Sequence, residues 1–349
     1  MKPLRVLIVD DSATMRRLIR SILEADSRLD VVAEATTARE ARDAVNMYRP
    51  DVMTLDVEMP NMSGIEFLRR LMRHRPMPVV MVSTLTHHGS DVAVEAMALG
   101  AVDCVEKPRF GDGLKNFSKL SDMVVLAARA RLPTPRSALL PRPQPDRERN
   151  FQRICLIGGS TGGVDAIERI LQRFPANCPP TLITQHMPEP FLVSFAARLD
   201  TLVAPRVGLA SDGAKLEPGK VMIAPGGASH LNLCGPVDGP VGLRVRLHEG
   251  SPVSGHRPSV DSMFLSAVPI AQCVVAGILT GMGGDGAEGM AALRSAGART
   301  LGQSEESCIV FGMPRVAGEL GGVEQWADLD VFGDEILRLC ESPVHVGAS

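Results

Sequence analysis

Five side chains in the first third of the chain are of types that handle phosphate: Asp10, Asp11, Asp56, Ser83 and Lys107. Three carboxylates gathered at one place repel one another, and a hard divalent cation with oxygen ligands, Mg²⁺ first among them, relieves that repulsion. With the cation neutralising an incoming phosphoryl group, Lys107 as a point charge and Ser83 as a hydroxyl donor, the Asp56 carboxylate could act as a nucleophile and become an aspartyl phosphate. The plainer alternative is that acids following strands serve only as turn and N-cap residues.

A second set lies further on. Gly158-Gly159-Ser160-Thr161-Gly162-Gly163 satisfies Gly-x-Ser-x-Gly, a turn that either projects the Ser160 hydroxyl as a nucleophile or cradles a phosphate at a helix N-terminus. Thr184-Gln185-His186-Met187-Pro188 and Thr280-Gly281-Met282-Gly283-Gly284-Asp285-Gly286 supply a histidine and an aspartate. His186 could take the Ser160 proton while Asp285 holds the imidazole tautomer, in the logic of a catalytic triad. The order Ser, His, Asp differs from that of the α/β-hydrolases, chymotrypsin and subtilisin. The glycines around Met282 let a backbone amide approach a tetrahedral intermediate, so the Met282 N–H is the candidate oxyanion donor. Against this stand a turn histidine and an N-cap aspartate, whereas a Met282 side chain that only fills space is compatible with it, since the amide and the side chain act separately.

Both sets depend on elements that bring them together. Residues 1–128 alternate short β-rich runs (Leu4–Val9, Val31–Ala33, Val52–Leu55, Val79–Val82 and Val102–Val105) with helical patterns. That alternation predicts a five-stranded parallel α/β sheet, and right-handed crossovers bring residues that follow the strands to one edge. Residues 129–150 hold the stretch Arg129–Arg149, with five prolines, six arginines and two acids, and read as a linker. From residue 151 to about 345 a second α/β pattern runs, with strands expected near Ile154–Ile157, Thr181–Thr184, Val221–Ala224, Leu243–Leu247, Val274–Leu279 and Thr300–Leu301. Helices are expected near Val164–Arg173, Val260–Val268 and Gly286–Ser295. Ser160, His186 and Asp285 each follow one of these strands.

Composition removes several classes of function. Lys plus Arg number 37 against 40 Asp plus Glu, so the net charge of −3 offers no field for a phosphate backbone, and nucleic acid is not an expected partner. One Trp, one Tyr and ten Phe leave few rings for base stacking. No apolar run exceeds the seven residues Cys273–Leu279, far below the ~20 that span a bilayer, so no membrane insertion is expected. Val6–Val9 runs directly into Asp10 and Asp11, unlike a signal peptide, which points to the cytoplasm. The seven cysteines, without a Cys-x-x-Cys pair, read as reduced thiols.

The stretches VLIVDDSATMRRLI, DVMTLDVEMPNMSGIEFL, VVMVST and VEKP resemble the receiver domain of two-component response regulators, over residues 1–128. The resemblance implies a flavodoxin-like fold, phosphorylation of Asp56 by a chemotaxis-type histidine kinase, Mg²⁺ held by Asp10, Asp11 and Asp56, and movement of Ser83 toward the phosphoryl group. Cys104 stands where many receivers carry an aromatic switch residue. IGGSTGG, ITQHMP, IAPGG, HRPSVDSMF, ILTGMGGDGAEGM and SCIVFGMPR resemble the chemotaxis protein-glutamate methylesterase family, in the same receiver, linker, esterase order. That implies a doubly wound, mainly parallel α/β esterase domain with Ser160, His186 and Asp285 as its triad and no cofactor for ester hydrolysis. It further implies glutamyl methyl esters on chemoreceptor helices as substrates, and glutamine deamidation at the same sites. Gly159 and Gly284 occupy positions where relatives often carry Ala and Asn.

Overall fold

In the computed structural model the described residues are 2–59, 62–83, 87–107, 120–132, 150–236, 239 and 241–341. Most of the expected linker, 133–149, and the final residues from 342 onward lie outside them. The chain divides into two compact units, Met1–Ser137 and Ala138–Ser349.

The first unit runs β1 (Leu4–Val9), α1 (Ala13–Glu24), β2 (Leu29–Ala35), α2 (Ala38–Tyr48), β3 (Val52–Asp56), α3 (Gly64–His74), β4 (Val79–Ser83), α4 (His87–Ala98), β5 (Asp103–Glu106) and α5 (Leu120–Ala128). All strands are parallel in the order β2-β1-β3-β4-β5. Every residue of β3 and β4 is buried, as expected for strands covered on both faces, and side-chain caps from Ser12, Thr37 and Ser63 start α1, α2 and α3. Because β1 pairs β2 on one side and β3 on the other, the strand order reverses there, and the turns after β1 and β3 open side by side.

The second unit contains β6 (Ile154–Gly159), α6 (Gly163–Leu171), β7 (Thr181–Gln185), α7 (Glu189–Leu202), β8 (Arg206–Leu209), β9 (Lys220–Ile223), β10 (Ser229–Cys234) and β11 (Arg244–Glu249). It continues with α8 (Val260–Ser266), β12 (Val274–Ile278), α9 (Ala287–Ser295), β13 (Arg299–Gln303), α10 (Met313–Glu319), β14 (Gln325–Ala327) and α11 (Leu329–Glu341). Seven strands form a parallel sheet in the order β14-β13-β12-β6-β7-β9-β8, with β6 at the reversal between β12 and β7.

Three strands were not expected from sequence: β8 and β14 are short edge strands, and the burial of β10 alternates irregularly. The run expected as a strand at Leu243–Leu247 is one, shifted to Arg244–Glu249, but it belongs to an antiparallel hairpin with β10 outside the main sheet. Periodicity marks a strand without naming its neighbour. Phe264, Met263 and Val260 of α8 pack with Ile278, Met290 and Leu293 in one buried core, which fixes α8 against β12 and α9.

Candidate active site and candidate phosphorylation site

In the second unit the reversal at β6 places the ends of β6, β7 and β12 next to one another, and these carry Ser160, His186 and the loop to Asp285. Gly162, at φ +80°, lets the chain turn from Ser160 into α6 in a conformation other residues avoid. Across the site Gly281 has to be glycine: a Cβ there would lie 2.7 Å from the Ser160 Cβ and 2.3 Å from the Met313 sulfur. The Ser160 main chain is clamped from two sides. Its N–H donates to Thr280 O (3.1 Å), and its carbonyl accepts from Gln185 Nε2 and Gly163 N, both at 2.7 Å. Two amides that a phosphate cradle would need, those of Ser160 and Gly163, are therefore already engaged, which disfavours that alternative.

His186 Nε2 and Asp285 Oδ2 are 2.7 Å apart, and the His186 amide donates to Gly159 O at the end of β6 (3.1 Å). A carboxylate partner at Nε2 selects the tautomer with its proton there, leaving Nδ1 as an acceptor. Nδ1 is buried and has no partner among the described residues, and no hydrogen bond links it to Ser160 in this resting geometry. The His256 ring stacks on the His186 ring at 3.8 Å with the planes 2° apart.

Asp285 is not the N-cap of α9, a role that falls to Gly286. Its carboxylate reaches the start of a different helix, α8: Oδ1 accepts from Ser259 Oγ (2.7 Å) and Asp261 N (3.1 Å), and Oδ2 from Val260 N (2.7 Å). Asp261, in the first turn of α8, returns the exchange by accepting from the Gly289 amide of α9 (2.8 Å). The two carboxyl groups lie against each other and are driven apart in acidity. Burial opposes the charge on both; in Asp285 the His186, Ser259 and Val260 hydrogen bonds outweigh it and lower the pKa, whereas in Asp261 burial and the charge of Asp285 prevail and raise it. Sequence reasoning missed Gln185, Ser259, Thr280 and Asp261 as supports; Ser259 and Asp261 lie in the HRPSVDSMF stretch, a signal that carried no assigned role.

The Met282 amide donates to no described residue, and its side chain is 43% exposed. Gly281 O accepts from the amides of both Gly312 and Met313, which ties this loop to the start of α10.

The first unit brings its five residues to the edge where β1, β3, β4 and β5 end. Ligand oxygens of Asp10, Asp11 and Asp56 all lie within 4.8 Å of one another; Asp10 and Asp56 are buried and Asp11 is exposed. Lys107 Nζ stands 2.7 Å from Asp56 Oδ2 and 3.0 Å from Asp10 Oδ2. Burial pushes the Asp56 carboxyl up to about 6, helped by the Asp10 charge and opposed by Lys107. Burial works against the Lys107 ammonium, but the hydrogen bond and charge of Asp56 prevail and raise its pKa. Ser83 is buried at the end of β4. Three convergent carboxylates form an all-oxygen donor set suited to a hard divalent cation. Cys104 is half-buried against the apolar core of the first unit, and burial raises its thiol pKa.

Residues 155–336 match the CheB methylesterase family, and residues 6–117 match the response regulator receiver domain. The protein-glutamate methylesterase/protein-glutamine glutaminase 1 of Rhizobium johnstonii is 52% identical over 340 residues, covering 97% of this chain and 96% of that relative. The chain belongs to the CheB methylesterase family. A relative named protein-glutamate methylesterase/protein-glutamine glutaminase 1 from Caulobacter vibrioides is 52% identical over 347 residues, covering 98% of this chain and 99% of its own. The crystal structure of the Thermotoga maritima CheB methylesterase catalytic domain, 32% identical, covers 54% of this chain and 100% of its own length with a TM-score of 0.51. Among the described residues of this CheB-family chain no helix is long and apolar enough to cross a membrane.

Proposed function

We propose that this protein is a phosphorylation-activated protein-glutamate methylesterase that hydrolyses glutamyl methyl esters on chemoreceptor cytoplasmic helices, and that it deamidates receptor glutamines at the same site. The observation that carries the reading is the His186–Asp285 pair, 2.7 Å apart, drawn from the ends of β7 and β12 that flank the β6 end carrying Ser160. Ser160 Oγ attacks the ester carbonyl as His186 Nδ1 takes its proton, and the Met282 amide stabilises the resulting oxyanion. Collapse of this intermediate breaks the bond to the methoxy oxygen. His186 returns the proton, methanol leaves, and a glutamyl ester on Ser160 remains. Water, deprotonated by the same nitrogen, then releases glutamate and restores the serine. With a glutamine side chain the leaving group is ammonia and the remaining steps are the same.

Residues 1–128 are the receiver, 129–150 the linker and 151–345 the catalytic domain in this reading, and the protein acts in the cytoplasm. Asp10, Asp11 and Asp56 would hold Mg²⁺, which supplies neutralising charge for phosphoryl transfer. Asp56 accepts the phosphoryl group from the phosphohistidine of a chemotaxis-type kinase as the N–P bond breaks, with Lys107 and Ser83 addressing the phosphoryl oxygens. The deciding experiment measures methanol release from a methylated receptor. Ser160→Ala is expected to lower the rate about 10⁶-fold; near-wild-type release would exclude Ser160 as the nucleophile.

A further inference from the structure

A glutamyl ester reaches a short distance from its own backbone. From Cα to the ester carbonyl carbon there are three C–C bonds, about 4 Å in all, whereas the helix carrying the ester is about 10–12 Å across. The carrier helix has to rest on the rim of the Ser160 site, and the residues on that rim touch it.

Toward β13 and β14 the rim carries apolar side chains, with the exposed Glu305 and Glu306 that follow β13 on the same edge. Along the carboxyl edge of the sheet from β12 toward β14, the first exposed side chain is Met282, and Gly281 beside it forms a β-bridge with Phe311. The half-buried Phe311 ring lies 5.7 Å from that of Trp326, at an interplanar angle of 55°. Trp326, on β14, is 48% exposed and is the one tryptophan of the chain. Its indole sits over two glycines: a Cβ at either Gly302 or Gly318 would come within 2.7 Å of the ring. A large aromatic ring already seated on backbone loses little freedom when a partner covers it, which is the property of an interface anchor.

We propose that Met282, Phe311 and Trp326 form a docking strip for the apolar face of the helix that carries the glutamyl ester. This inference rests on the methylesterase reading. Continuity with the site selects the occupant: the strip begins at the residue whose amide faces the oxyanion, so a chain threaded to Ser160 meets it first. None of the three side chains carries charge, so they match the apolar face of an amphipathic helix rather than its polar face.

The test uses the full chain with two substrates, a methylated receptor fragment lacking tryptophan and a short blocked glutamate γ-methyl ester. Trp326→Ala, Trp326→Phe and Phe311→Ala are compared with wild type. For the receptor, KM is expected to rise about tenfold in the alanine variants, the order of an interface anchor, and less in Trp326→Phe. kcat for the receptor should stay within about twofold and the short ester should be hydrolysed as by wild type, as expected for lost uniform binding. In Ser160→Ala the emission of the lone tryptophan should shift to the blue as receptor is added. Equal losses on both substrates would make the strip merely structural, and an unchanged receptor KM would remove its role. Emission that moves on phosphorylation of Asp56 but not on receptor addition would assign the strip to the receiver instead. A wild-type protein that releases methanol from neither substrate would overturn the methylesterase reading, and the docking strip with it.

Discussion

The two sites occupy equivalent places, the carboxyl edge of a parallel sheet where the strand order reverses, yet they treat negative charge in opposite ways. In the receiver unit, Asp10 and Asp56 are buried together with one ammonium between them, and burial leaves Asp56 reluctant to ionise. In the catalytic unit, Asp285 is wrapped by two α8 amides, a hydroxyl and an imidazole, and its charge is favoured. Fixed backbone dipoles hold the second charge in one state, whereas the first site sets two buried carboxylates against a single ammonium, an arrangement that an incoming cation and phosphoryl group would complete in the proposed reading. A switch needs an incompletely satisfied pocket; a hydrolytic site gains from a preorganised one.

Breaking the preorganised side of this contrast should have the larger effect. Asp285→Asn keeps the shape but not the charge, and it offers an amide where the α8 amides need an acceptor. Methylesterase kcat is expected to fall about 10³–10⁴-fold. A loss below tenfold would show that the wrapping of Asp285 does not serve catalysis.

The receiver side is sharpened by adding what its pocket invites. Mg²⁺ at ten times its dissociation constant should stabilise the receiver unit by about 1.4 kcal/mol, read as an upward shift of its melting transition. The catalytic unit's transition should stay in place, and Asp56→Asn should weaken the receiver's response. Equal shifts in both units would erase the distinction.

The smallest effect is a pH slope. Asp261 has its pKa raised in the folded protein by burial and by Asp285. The stability it contributes is fully present below the unfolded carboxylate value, about 4, and is lost as pH rises through the higher folded value. Asp261→Asn removes that loss, so the melting difference, variant minus wild type, should grow in the variant's favour from pH 4 upward. A pH-independent difference in thermal melts would show that Asp261 does not change ionisation on folding.

What was legible in the sequence was whatever depends on position along a strand. Asp56, Ser83, Ser160, His186 and Asp285 are each read from a β-rich run that ends beside them, and the parallel topology then gathers them. What stayed hidden depends on two helices meeting. Nothing local in Ser259-Val260-Asp261 says that α8 will aim its first amides at a carboxylate 24 to 26 residues later, or that Asp261 will take the Gly289 amide in exchange. The placement of β11 failed to show for a different reason: its neighbour β10 has an irregular pattern. Strand ends are local; cross-caps between helices are tertiary.

The 99 residues separating His186 from Asp285 set a schedule for synthesis as well as a distance along the chain. At about 5–20 residues per second, a ribosome adds Asp285 roughly 5–20 s after it adds His186. Through that interval the growing chain holds its serine and its imidazole without the carboxylate that fixes the imidazole's orientation. Over most of the same interval β12, the strand that flanks β6 opposite β7, is also still to be made, so hydrolytic competence is expected as one of the later events in the making of the polypeptide.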